Sequence, residues 1–96
     1  MALRIVWAQS ALDDLDDILF FIAADKPLAA AKLHRRSLTA IRKLRTHPML
    51  GRKVPELSPS PYRELVVAPV RILYRVDEKV IHIVHVVRQE RDVTAM

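Results

Sequence analysis

This sequence predicts an α+β domain in which a helical hairpin lies over one face of a small sheet, and three observations lead there. A β-branched and aromatic stretch opens the chain, Leu3–Ala8 ("LRIVWA"). The middle then carries apolar residues at helical spacing, interrupted once at Asp25-Lys26-Pro27. The final third alternates in the way strands do. The predicted order is an N-terminal strand, an antiparallel helical hairpin, and a three-stranded antiparallel meander completing one small sheet. With 96 residues the chain makes one domain, 1–96, around a single modest core.

In the first helix Leu12, Leu15, Ile18, Leu19 and Ile22 recur at helical spacing, and Ser10 followed by Asp13 fits a capping box. Asp13, Asp14, Asp16 and Asp17 crowd its first two turns. Acids at that end complement the helix dipole and solvate the outer face, which explains them without a catalytic carboxylate pair. Pro27 starts the second helix, where its missing N–H costs nothing. Ala30, Leu33, Ser37, Ile41 and Leu44 form the inward stripe of that helix, and Pro48 ends it. Thr46 to Pro61 holds four of the six prolines and the single glycine, Gly51, which describes a constrained loop pinned by Met49, Leu50, Val54 and Leu57. "YRELVV" and "VRILYRV" flank a turn at Ala68-Pro69, and "VIHIVHVV" follows the polar turn Asp77-Glu78-Lys79.

Composition narrows the function. An apolar share of 51% with 28% charged residues belongs to a folded globular protein. No apolar run approaches the roughly 20 residues that span a bilayer. Met1 to Ala11 carries one charge, Arg4, and no signal-peptide core, so the expected location is the cytoplasm, with no membrane partner. The absence of cysteine excludes disulfides, thiolate zinc sites and a cysteine nucleophile. A lone glycine cannot build a phosphate cradle, and no metal-ligand spacing is present, so neither cofactor nor metal is expected. The net charge of +5 is uneven: residues 31 to 55 hold eight bases and no acid. Such a block suits an acidic partner.

Alternation assigns the strand faces. Val70, Ile72, Tyr74 and Val76 share one face, and Arg71, Leu73 and Arg75 the other. Arg63, Leu65 and Val67 oppose Tyr62, Glu64 and Val66. His82, Val84, Val86 and Arg88 oppose Ile81, Ile83, His85 and Val87, so His82 and His85 are expected on opposite sides, and His85 on the side of Ile81 and Ile83. One face should be apolar and covered by the helices. The other, carrying arginines, is expected to be partly open and to serve as the functional surface.

Four stretches, "ALDDLDDILFFIA", "HPMLGRKVPEL", "YRELVVAPVRILYRV" and "IHIVHVVRQERDV", resemble in their order and spacing the RelE/ParE superfamily of type II toxins over nearly the whole chain. The resemblance implies a compact toxin fold held off by an antitoxin encoded alongside, with a role in plasmid or chromosome maintenance. RelE-like members cleave mRNA on the ribosome without metal, using bases around the scissile phosphate and a Tyr or His near the C-terminus. ParE-like members poison DNA gyrase. Arg71 and Arg91 match family arginines, and Lys53 and Arg52 sit where the nucleases also carry bases. No tyrosine or histidine follows Arg91, and the "RQERD" ending looks more like the ParE pattern. The expected function is therefore a ParE-like gyrase inhibitor with no catalytic residues, contacting its target through Arg71, Arg88 and Arg91. Arg71 and Arg91 have Glu64 and Asp92 available as structural partners. An acidic antitoxin is expected on Lys32, Arg35, Arg36, Arg42 and Lys43, with DNA contact mainly through the antitoxin. The alternatives are a ribosome-dependent endoribonuclease using Arg71, Arg91, Lys53 and His85, or a non-toxic module acting with its antitoxin in autoregulation.

Overall fold

The structure is a computed structural model that describes residues 2–94. The elements are β1 (Arg4–Trp7), α1 (Gln9–Ala23), α2 (Pro27–Lys43), β2 (Arg52–Lys53), a 3₁₀ turn at Pro55–Leu57, β3 (Arg63–Val67), β4 (Val70–Asp77) and β5 (Val80–Arg88). They build one sheet in the order β1-β5-β4-β3-β2. The meander β3-β4-β5 is antiparallel, and β1 joins it in parallel along β5, Arg4 opposite Val80 and Trp7 opposite Ile83. Inside the predicted loop, Arg52 and Lys53 form an additional two-residue strand against Glu64 and Arg63. Among the described residues, no helix is long and apolar enough to cross a membrane.

The helical hairpin covers one sheet face, as the periodicity predicts. The α2 stripe of Ala30, Leu33, Ser37 and Ile41, continued by Leu44, is buried throughout. It meets Ala11 and Leu15 of α1 and the inward faces of β3, β4 and β5: Leu65, Val67, Val70, Ile72, Tyr74, Ile81, Ile83 and Val86. Tyr74 is fully buried, so its hydroxyl must find partners. It donates to the Pro48 carbonyl and accepts from the Gly51 N–H, each at 2.8 Å. Gly51 is required for that approach, because a Cβ there would lie 2.6 Å from the Glu64 carbonyl oxygen and from the Tyr74 ring.

Three local expectations are corrected. The capping box does not form: α1 begins at Gln9, its N-cap is Ala8, and the Ser10 hydroxyl donates instead to the Val84 carbonyl at 2.7 Å. Asp14 is not merely solvated, since its Oδ2 accepts the Val86 N–H at 3.0 Å. Both contacts have one cause. Pairing between β1 and β5 ends where the Ala8 N–H reaches the Ile83 carbonyl, and Ser10 and Asp14 then satisfy the β5 edge that β1 no longer covers.

The third correction concerns the faces of β5. Leu73 pairs with His85 but Tyr74 pairs with Ile83, so Val84 is an extra residue, a β-bulge. Alternation slips by one there. Ile81, Ile83 and Val86 all point to the helices, while His85, opposite Leu73, and His82, opposite Arg75, lie together on the other face.

Candidate target-binding face and its arginine network

The face away from the helices is partly open, as alternation suggests, but its central arginine, Arg71, is not on the open part. The 3₁₀ turn and the segment after β5 fold over part of it and make a second small core of Val54, Leu73, Val87 and Val93, with Leu57, Tyr62 and Val84 at its margin. Arg71 lies under this cover, 4% exposed. A buried guanidinium has to be neutralised and hydrogen-bonded. Glu64, two residues from Val66 (the cross-strand partner of Arg71), is on the same face, and Glu56 arrives from the 3₁₀ turn. Arg71 Nη1 donates to Glu64 Oε1 at 2.9 Å and to Glu56 Oε1 at 3.0 Å. Nη2 donates to Glu56 Oε2 at 2.7 Å and to the backbone carbonyl of Arg91. The second Glu64 oxygen takes Arg52 Nε at 2.7 Å. Two guanidinium groups thus balance two carboxylates. The hydrogen bond from Arg71, with further help from the N–H groups of Glu56 and Val93, holds the Glu56 carboxyl down at about 2 against the partial opposition of burial. Glu56 in turn raises the affinity of Arg71 for its proton.

The segment after β5 is fixed at several points. Gln89 N–H donates to the Pro69 carbonyl at 2.9 Å, Arg91 N–H to the Arg88 carbonyl at 3.0 Å, and Val93 N–H to Glu56 Oε2 at 3.4 Å. Asp92 accepts from the Thr94 N–H at 2.9 Å and its hydroxyl at 2.8 Å, and these bonds keep its carboxyl below the usual range. Arg91 itself is exposed, between two anchored neighbours.

The three arginines expected to contact a target are not one patch. Arg71 is enclosed, and Arg91 is exposed above it. Arg88 shares the helix side with Val86, and its guanidinium carbon stacks 5.3 Å from the centroid of Phe21 on α1. There it borders a groove of about 500 Å³ with Ile22, Lys26, Ala29, Lys32, Leu33 and Arg36. Lys53 is exposed on β2, with Nζ 3.4 Å from the Ser60 carbonyl. His85 stands at a pocket of about 260 Å³ whose other walls are Leu57, Tyr62, Leu73, Val84 and Val93. Its Nδ1 is 3.0 Å from Asp14 Oδ2, which favours the hydrogen on Nδ1 and leaves Nε2 as an acceptor. Lys32, Arg35, Arg36, Arg42 and Lys43 are all exposed along α2, and only Arg36 is tied down, to the Ala68 carbonyl at 3.0 Å. Among the described residues, none of these five forms an ion pair.

Sequence reasoning paired Arg71 with Glu64 but missed Glu56, Arg52 and Asp14. The first pairing is written in the tight Ala68-Pro69 connection, which sets Leu65 against Ile72 and so brings Glu64 and Arg71 to one face. Glu56 comes from an irregular loop and carries no periodic signal.

A small mixed sheet with a helical hairpin over one face is the fold of the RelE/ParE superfamily of type II toxins. Residues 5–93 match the ParE toxin of the type II toxin-antitoxin system, parDE, and the chain belongs to that family. The chain is 37% identical over 84 residues to Toxin RelE2 of Caulobacter vibrioides, a match spanning 86% of this chain and 91% of that protein. A solved structure of the chromosomal ParDE system from P. aeruginosa superposes with a TM-score of 0.77 at 24% identity, covering 93% of this chain and 98% of the other. The RelBE2 toxin-antitoxin complex from Mycobacterium tuberculosis superposes at 0.64 and 17% identity, covering 93% and 100%. At those identities the two structures speak for the fold.

Proposed function

We propose that this type II toxin acts by binding and inhibiting DNA gyrase in the cytoplasm, with no chemistry of its own, and that a cognate acidic antitoxin neutralises it. The state of Arg71 carries the reading. An arginine that stabilises a cleaving phosphate needs free N–H groups and uncompensated charge at the reacting atoms. Here both terminal nitrogens are taken by Glu56, Glu64 and the Arg91 carbonyl, and a phosphate would have to displace two carboxylates. The exposed member of the arginine set, Arg91, with Asp92 beside it, is suited to protein contact. The antitoxin surface is the exposed α2 row of Lys32, Arg35, Arg36, Arg42 and Lys43. It adjoins Phe20, Phe21 and Leu28, which are 81, 72 and 85% exposed and supply apolar area beside the charge.

A second reading, a metal-independent ribosome-dependent endoribonuclease, is favoured by His85. Its Nε2 is an acceptor beside a pocket, Lys53 and Arg91 would supply positive charge, and a relative bears a RelE name. Purified toxin freed of antitoxin should inhibit gyrase supercoiling and trap cleaved DNA while leaving mRNA on programmed ribosomes intact. Codon-phased mRNA cuts with gyrase untouched would overturn the first reading in favour of the second. Normal growth on expression of the toxin alone would overturn both and favour a non-toxic module.

A further inference from the structure

Arg71 is the anomaly of this small protein: a guanidinium 4% exposed, with two carboxylates, beneath the 3₁₀ turn and the segment after β5. Such a network is a poor source of net stability, because desolvating its charges offsets most of their attraction. Nor is it needed to pin the segment after β5, since Val93 is already buried against Val54, Leu73 and Val87. What the network adds is direction. Glu56 and Arg71 form a two-bond fork, and each also grips one of the two peptide units that flank Asp92. Arg71 Nη2 takes the Arg91 carbonyl, and Glu56 Oε2 takes the Val93 N–H. Val93 and the N–H bonds of Gln89 and Arg91 would still leave the peptide unit between Arg91 and Asp92 free to rotate. With the Arg91 N–H on the Arg88 carbonyl and the Arg91 carbonyl on Arg71, the peptide units on both sides of the Arg91 Cα are held, and its side chain leaves the surface in a fixed direction.

We infer that Glu56, acting through Arg71, is a positioning residue that presents Arg91 to the toxin's target. The inference rests on the reading that Arg91 contacts a target, and it holds whether that target is gyrase or the ribosome. An arginine immobilised before contact loses less conformational freedom on binding, which is where the affinity comes from.

Glu56→Gln keeps the shape but removes the charge that holds Arg71 and turns one of the two acceptor atoms into a donor. The test is a double-variant cycle on the toxin concentration giving half-maximal gyrase inhibition, with mRNA cleavage run in parallel. Wild type, Glu56→Gln, Arg91→Ala and the double variant are compared at equal folded fraction, checked by thermal melting. Glu56→Gln should weaken the effect about tenfold, a loss typical of coupled neighbours, and should accelerate hydrogen exchange at the Val93 amide. In the Arg91→Ala background the same substitution should cost nothing further. A merely stabilising Glu56 would give multiplied losses in the double variant, and that outcome overturns the inference, as does an unaltered Glu56→Gln. If Arg91→Ala matters only for mRNA cleavage and the cycle still couples, the inference stands and the gyrase reading falls. If Arg91→Ala is silent in both assays, the contact reading fails and takes the inference with it.

Discussion

The helices shield one face of the sheet from water, and the 3₁₀ turn with the segment after β5 shields part of the other, by different means. On the helix side, two long amphipathic elements bring a continuous apolar surface down onto Val70, Ile72, Tyr74, Ile81, Ile83 and Val86. On the far side a three-residue turn and a few residues after β5 supply Val54, Leu57 and Val93, and close over a charged network. Area drives the first, since each fully buried aliphatic side chain is worth about 1.5–3 kcal/mol. The second covering is too small for area to fix its geometry, and directional bonds from Arg71 do so. Area and directional bonding are thus divided between opposite sides of one sheet.

The sharpest way to break this contrast is at neighbouring residues of β4. Arg71→Ala should destabilise by about 3–5 kcal/mol, because it strands buried carboxylates. Ile72→Ala, on the other side, should cost about 2–5 kcal/mol as a cavity. Similar losses in denaturant titrations would hide different causes, and pH separates them. Glu56 has a folded value of about 2, below its unfolded one, so its contribution is complete above the usual glutamate value and is lost as pH falls through about 2. The penalty of Arg71→Ala should therefore shrink between roughly pH 4.5 and 2, while that of Ile72→Ala stays level. A pH-independent Arg71→Ala penalty would refute the network as its source.

Gly51→Ala tests the seam between the faces. The added methyl meets backbone and the Tyr74 ring at 2.6 Å, and overpacking of this kind costs about 1–3 kcal/mol, read as a lowered Tm. Asp14→Ala should cost about 1–2 kcal/mol by freeing the Val86 N–H and His85 at the β5 edge, with hydrogen exchange at Val86 as the local readout. Smallest is Ser37→Ala on the helix side. The Ser37 hydroxyl is fully buried without a partner, so removing it should stabilise by up to about 1 kcal/mol, given the better helix propensity of alanine. A loss of stability there would mean that the hydroxyl is satisfied after all.

What could be read from the sequence follows the same division. The α2 stripe and the β4 alternation were legible, because periodic burial leaves a periodic pattern, and with them the element order and the helix-covered face. The far side was not. The bulge at Val84 changes which residues of β5 face where, and its one sign in the sequence is the apolar pair Ile83-Val84 between two histidines three apart, which strict alternation passes over. Parity therefore put His85 and Val86 on the wrong sides. Arg71 looked like an exposed contact because its cover, Glu56 and Val93, lies 15 and 22 positions away in irregular chain, where no repeating pattern announces it. Arg88 was misjudged by the same slip, and its stacking on Phe21 is a contact across 67 positions.

The parallel pairing of β1 with β5 also governs when the molecule can exist. Arg4 must wait for Val80, and β5 is the strand that both β1 and β4 border. During synthesis the hairpin and the β3-β4 ribbon can form early, but the sheet stays in two pieces until residues 80–88 emerge. Such non-local closure slows folding, and no partial product has the assembled sheet. Because β1 and β4 meet only through β5, the sheet closes in one late event, and a chain lacking residues 80–88 would keep the hairpin and the β3-β4 ribbon without a common sheet.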